Sequence, residues 1–132
     1  MTMRPRTPDR ITRVMRTGDV VELSLRQPSL RPLDAEKLRG ELVSLHRPGS
    51  PPSIVLSMRG LETLSGTCVG VLAEVTESLA RLGGVLVLAE VPGETARMLK
   101  KAGFARRLRM ARSVPQAQKI ALSGRRGVTQ AA

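Results

Sequence analysis

Two short apolar runs constrain the fold of this chain more than any other feature of its sequence. Residues 53–58 read SIVLSM and residues 85–89 read VLVLA, and both runs are nearly continuous rather than alternating. Strands of this kind are covered on both faces, as in the middle of a largely parallel sheet. Between them, residues 66–82 place Cys68, Leu72, Val75 and Leu79 on one face of a helix. A buried strand, a helix and a second buried strand predict a parallel β-α-β unit with a right-handed crossover.

The flanking segments extend this unit in both directions. Residues 11–16 and 20–25 predict two strands joined by a tight turn. Asp34 is the expected N-cap of a helix whose apolar stripe reaches residue 45, and residues 93–102 predict another helix. Residues 108–110 suit a short edge strand, and a last helix is expected from Ser113. The order predicts an α/β fold, with a mixed, mostly parallel sheet of four or five strands and about four helices.

The length of 132 residues fits one domain with its own core. We expect a flexible basic arm at residues 1–10, the domain at 11–122 and a flexible basic tail at 123–132. No apolar run is long enough to span a membrane, and the first residues lack the apolar stretch of a secretory signal. The expected location is therefore cytoplasmic.

Reactive and aromatic side chains are scarce in this chain. It has one cysteine, Cys68, one histidine, His46, and one aromatic residue, Phe104. One cysteine and one histidine cannot form an internal disulfide or a Cys/His zinc cluster, and we expect no Ser-His-Asp triad around the single histidine. We therefore expect no enzymatic activity, no metal and no cofactor. Without stacking side chains, a nucleic-acid partner is also unlikely on this sequence, although a basic nucleic-acid-binding module stays an alternative.

The positive charge is concentrated towards the end of the sequence. Of the net charge of +11, residues 95–132 contribute ten basic groups and no acidic group. One cluster within this segment is a candidate basic patch, and it consists of Arg106, Arg107, Arg109 and Arg112. Such a cluster either binds an anionic surface or protects a solvated edge strand from pairing.

One stretch of sequence resembles a known family. Ser57-Met58 is followed eight residues later by Ser65-Gly66-Thr67-Cys68 and then by VGVL. This pattern resembles the STAS domain of bacterial anti-sigma factor antagonists, in which a strand ending in Asp-Leu precedes Asp-Ser-Ser-Gly at the start of a helix. The resemblance extends over about residues 11–122 and includes Leu33-Asp34, Gly83-Gly84 and the segment 99–104. Serines replace both family aspartates, at Ser57 and Ser65, while Thr67 keeps a hydroxyl at the phosphoacceptor position.

The resemblance implies a non-catalytic protein that regulates transcription by binding an anti-sigma factor of the serine-kinase type. It implies Thr67 as the candidate phosphoacceptor, with Ser65 as a second candidate. The implied partner interface consists of Ser57, Leu64, Ser65, Gly66, Thr67, Cys68, Val69, Gly70 and Glu74. The alternative within the family is a constitutive subunit or scaffold of a larger complex, such as a transport ATPase or a stressosome-like assembly, without phosphoregulation.

Four residues of this region also have simpler structural interpretations. Ser65 or Thr67 could cap the helix by accepting a hydrogen bond from its first turn. Cys68 is either a redox-sensitive thiol at a helix N-terminus or a small core residue. Glu77 is expected to pair with Arg81, one turn later on the same helix.

Overall fold

The computed structural model describes residues 10–46, 49, 51–104 and 106–130, and for residues 124–130 it describes the backbone alone. The strands are β1 (Thr12–Arg16), β2 (Val21–Leu25), β3 (Ser29–Leu30), β4 (Ser53–Ser57), β5 (Thr63–Leu64), β6 (Val85–Ala89) and β7 (Arg109–Ala111). The helices are α1 (Ala35–Val43), α2 (Gly66–Arg81), α3 (Gly93–Lys101) and α4 (Val114–Gln130). A 3-10 turn, Pro32–Asp34, precedes α1.

A five-stranded sheet of order β1-β2-β4-β6-β7 forms the centre of the domain. β1 pairs antiparallel with β2, and all other neighbours in this sheet are parallel, which confirms the predicted α/β fold with a mostly parallel sheet. Every residue of β4 and β6 is buried. The two continuous apolar runs are therefore the two central strands, because only strands covered on both faces need apolar side chains at every position.

The two faces of this sheet are covered unequally. The larger core lies on the face where α1, α2 and α3 contribute Leu38, Leu72 and Leu99. The opposite face carries a smaller core in which Val55 and Val87 meet Ala117 and Ala121 of α4. Helix α4 continues beyond residue 122, the expected end of the domain. Of the expected arm at residues 1–10, residues 1–9 lie outside the described chain, and so do the last two residues of the expected tail.

A second, two-stranded sheet was not predicted. β3 and β5 pair in parallel, with Ser29 opposite Thr63 and Leu30 opposite Leu64. These strands lie in the loops that follow β2 and β4. The small ladder therefore fixes the start of α1 and the start of α2 relative to each other.

Asp34 has a different role from the N-cap expected for it. Its side chain makes no hydrogen bond to α1. Instead, Oδ2 accepts bonds from Arg31 N at 2.8 Å, Arg31 Nε at 3.3 Å and Gln27 Nε2 at 3.1 Å. Burial acts to raise the pKa of this carboxyl, but the bonds and charge of Arg31 outweigh it and lower the pKa below its ordinary value of 3.8.

This arrangement predicts a stability difference in acid. A carboxyl whose folded pKa is lowered stabilises the protein above its unfolded pKa and loses that contribution as the pH falls through the folded pKa. The free energy of unfolding should therefore fall more steeply below about pH 4 in the wild type than in Asp34→Asn. Urea denaturation at several pH values measures this difference. Parallel pH profiles for the two proteins would contradict it.

Candidate partner-binding site

The N-terminus of α2 lies where the parallel strands end and is held by several bonds. Ser65 is its N-cap, and Ser65 Oγ accepts a hydrogen bond from Cys68 N at 3.2 Å. The backbone N–H of Ser65 donates to Leu30 O at 2.8 Å, which continues the β3–β5 ladder into the helix. The helix start is thus positioned by an adjacent loop as well as by its own cap.

Thr67 projects from this first turn into solvent. Because Ser65 is the cap, the alternative in which Thr67 caps the helix is wrong. Within the part of the chain that the structure describes, the Thr67 hydroxyl has no hydrogen-bond partner. The first N–H groups of a helix have no intrahelical acceptor and carry partial positive charge, so the surroundings of Thr67 favour an anionic group.

Part of the predicted interface is inside the protein. Ser57, Cys68 and Val69 are buried, so a partner cannot contact their side chains. The Cys68 thiol donates to Arg31 O at 3.3 Å, and burial raises its pKa. A buried thiol of raised pKa is a poor nucleophile, so Cys68 is a core residue and not a redox sensor. The accessible members of the predicted set are Leu64, Ser65, Gly66, Thr67, Gly70 and Glu74.

The outer side of α2 carries Thr67 and Glu74 on one stripe, since seven residues make nearly two helical turns. Glu74 is 55% exposed, and its carboxylate forms an ion pair with Arg39 of α1 at 2.6 Å. The predicted interface therefore includes Thr67 in the first turn of α2 and, two turns later, Glu74, whose ion pair with Arg39 links α2 to α1.

The expected Glu77–Arg81 pair is replaced by a long-range one. Arg107 Nε and one terminal nitrogen of its guanidinium bind the two carboxylate oxygens of Glu77 at 2.8 and 3.2 Å. The hydrogen bond from Arg107 lowers the pKa of Glu77, and the guanidinium lies 5.5 Å from the ring centroid of Phe104. Arg81 donates to Ser78 Oγ instead. Arg107 is thus neutralised by α2, whereas Arg106, Arg109 and Arg112 of the predicted basic patch are exposed.

A carboxylate that the sequence analysis did not select lies at the same edge of the sheet. Ser57 Oγ donates to Glu90 Oε1 at 2.8 Å and also accepts a long bond from Arg59 N at 3.4 Å. Glu90 directly follows β6 and has a φ of 57°, a conformation unusual for a residue other than glycine. The signal available in the sequence was a charged residue immediately after a buried strand.

The matched family is the STAS domain. Its family model matches residues 10–117, so the chain belongs to the STAS domain family. No curated protein matches the sequence significantly.

Solved structures share the fold at low sequence identity. An anti-sigma-factor antagonist (STAS) domain protein from Planctomyces limnophilus is 16% identical, with a TM-score of 0.68 over 86% of this chain and 96% of its own. The unphosphorylated anti-sigma factor antagonist SpoIIAA is 16% identical, with a TM-score of 0.63 over 86% and 98% of the two chains. The murine anion transporter Slc26a9 is 15% identical, with a TM-score of 0.67 over 81% of this chain and 18% of its own.

Two classes of feature are not found among the described residues. No described helix has both the length and the apolar character needed to cross a bilayer. No three described His, Cys, Asp or Glu side chains lie close enough together to hold a metal ion.

Proposed function

We propose that this chain is a cytoplasmic, non-enzymatic regulator of transcription that acts as an anti-sigma factor antagonist. Its partner is an anti-sigma factor of the serine-kinase type, which docks on the accessible part of the predicted interface. One observation carries the proposal: Ser65 caps α2, which leaves the Thr67 hydroxyl exposed and without a partner among the described residues. Resemblance to antagonists of known fold supports the same class of function.

Phosphorylation of Thr67 switches binding without unfolding the domain. A phosphate adds about −1.5 to −2 charges, which the positive end of α2 tolerates or stabilises by about 0.3–1 kcal/mol. A partner surface built against a neutral threonine then has to desolvate a dianion. This desolvation costs several kcal/mol unless a cation is available to pair with the phosphate. Phosphorylation of the Thr67 side chain alone therefore releases the partner.

The test of the modification uses the full chain, ATP and Mg²⁺ with the serine-kinase-type anti-sigma factors of the same organism. Mass spectrometry is expected to place one phosphate on Thr67 and none on the Thr67→Ala variant. Thr63→Ala is the matched control, because Thr63 is an exposed threonine four positions earlier that the proposal leaves unmodified. Phosphate on Ser65 or Thr63 in place of Thr67 would overturn the assignment of the acceptor.

A constitutive subunit of a larger complex is the second candidate function. Ser57 and Ser65 stand where antagonists of the family have aspartates, and both serines are engaged in structural hydrogen bonds, to Glu90 and within α2. A STAS domain that lacks those acids can bind a partner without being phosphorylated itself. Partner binding that is unchanged by phosphate and by substitutions at Thr67 would favour this function over the first.

A further inference from the structure

The outer side of α3 gathers cations that have no carboxylate partner. Leu99 anchors α3 in the core, and Arg97, Lys100 and Lys101 are exposed around the rest of the helix surface. Arg106 follows in the exposed turn before β7. None of these four cations forms an ion pair with a described residue, and Glu94 is the one acid of α3.

The neighbouring surface is organised differently. On the outer side of α1 and α2, Glu74 is paired with Arg39 and Glu77 with Arg107. Charges on that side therefore largely cancel, whereas on α3 three exposed cations outnumber the one exposed acid, Glu94. A local excess of positive charge attracts an anionic partner over roughly the Debye length, about 8 Å at physiological ionic strength.

Met98 distinguishes between possible anionic partners. It is 44% exposed and lines one surface of α3 together with Arg97, Lys100, Lys101 and the acid Glu94. A long apolar side chain surrounded by lysine and arginine is typical of surfaces that bind at a lipid headgroup layer. A phosphodiester backbone has no apolar layer into which such a side chain could insert. Among the described residues this surface also offers no ring for stacking on bases, because Phe104 is half-buried beneath the guanidinium of Arg107.

We propose that the α3 basic face, defined as Arg97, Met98, Lys100, Lys101 and Arg106, binds the surface of an anionic phospholipid bilayer. The cations contact headgroup phosphates and carboxylates, and Met98 enters the headgroup layer. The C-terminal turn of α3 and Arg106 precede β7, so they lie towards the amino ends of the parallel strands. Thr67 follows β4 and lies at the carboxyl ends of these strands. One molecule of this protein can therefore bind a bilayer through the α3 basic face and a protein partner around Thr67 at the same time.

The test is co-sedimentation of the full chain with large unilamellar vesicles at near-physiological salt. We expect binding to phosphatidylcholine vesicles that contain about a third phosphatidylserine and no binding to phosphatidylcholine alone. Lys100→Glu with Lys101→Glu should lower the vesicle partition coefficient at least about tenfold. Met98→Ser should lower it about threefold, because little apolar area then enters the headgroup layer.

The matched control is Arg13→Glu with Lys37→Glu, two exposed cations on β1 and α1. It changes the net charge by the same amount and should retain most of the vesicle binding. Equal losses in the two double variants would overturn the proposal, because binding would then follow net charge and not this face. Binding to neutral vesicles, no sedimentation with anionic vesicles, or tighter binding to duplex DNA that Met98→Ser leaves unchanged would also overturn it.

Discussion

Thr67→Asp should lower the affinity for the anti-sigma factor at least about a hundredfold, whereas Thr67→Ala and Thr67→Ser should bind nearly as the wild type does. Burying one unpaired charge at an interface costs about 3–5 kcal/mol, and 1.4 kcal/mol is a factor of ten in affinity. The aspartate carboxylate is smaller and less charged than a phosphate, so it gives a lower limit for the effect of phosphorylation. Isothermal titration calorimetry with the purified partner measures the affinities.

The control for Thr67→Asp is Thr17→Asp. Thr17 is an exposed threonine in the turn between β1 and β2, at the opposite end of the sheet from Thr67. It changes the same residue type into the same charge, and its affinity should stay within about twofold of the wild type. If Thr67→Asp binds as tightly as Thr17→Asp, Thr67 lies outside the interface and the constitutive function is favoured.

Gly84→Ala is expected to have the largest effect on stability. A Cβ atom at Gly84 would lie 2.5 Å from Pro52 O and 3.5 Å from Leu79 O, and both of these are backbone atoms. Neither atom can turn away as a flexible side chain would. The N–H of Gly84 also donates to Leu79 O at 2.7 Å, which closes the end of α2 against the start of β6. Overpacking at such a position costs about 3 kcal/mol, or roughly 10 °C in melting temperature.

Gly40→Ala is the matched substitution. Gly40 lies inside α1, and a Cβ atom built there has no atom within 4 Å outside the helix backbone. Replacing a glycine in an open helix position by alanine raises the free energy of unfolding by about 0.5–1 kcal/mol. Thermal unfolding followed by circular dichroism should therefore show shifts of opposite sign. Similar melting temperatures for the two variants would show that β6 can move away from Pro52.

The central strands and helices were predictable because their signals are local. Continuous apolar runs identify strands buried on both faces, and the periodic stripe from Cys68 to Leu79 identifies α2. β3 and β5 were missed because a two-residue strand has no periodicity to detect. The role of Asp34 was misjudged because an aspartate directly before a helix suggests an N-cap. In the structure, Pro32 starts a 3-10 turn whose third residue is Asp34, and the Asp34 side chain bonds back to Arg31.

Side-chain partners from distant parts of the chain were the least predictable feature. Glu41 lies on α1 and accepts bonds from Ile11 N at 2.7 Å and Thr12 N at 2.8 Å, which fasten β1 to the helix. Arg107 reaches back to Glu77, and Glu90 to Ser57, across about thirty residues of sequence. Helix periodicity can identify which side chains share a face, but it carries no information about which loop returns beside them.

The candidate site was predictable to the level of its element. The resemblance placed Thr67 in the first turn of α2, and the structure has it there. The helical stripe placed Cys68 on the apolar face, and it could also have shown that Val69 faces the core, because Val69 is in phase with Ala73. Only the structure could decide which of the two hydroxyls caps α2, since the sequence allowed either Ser65 or Thr67.

The order of the strands in the sheet has a consequence for how the chain is assembled during translation. β2, β4, β6 and β7 are neighbours in the order in which they are synthesised. Each new strand leaving the ribosome can therefore pair with the one made just before it, and no strand has to wait for a later one to be inserted between them. Helix α4 comes after all of them and is, among the described helices, the one that covers the second face of β4 and β6. Val55, Val85 and Val87 stay open to solvent until α4 has been made, so the interval before its synthesis is when the nascent chain is most prone to aggregate.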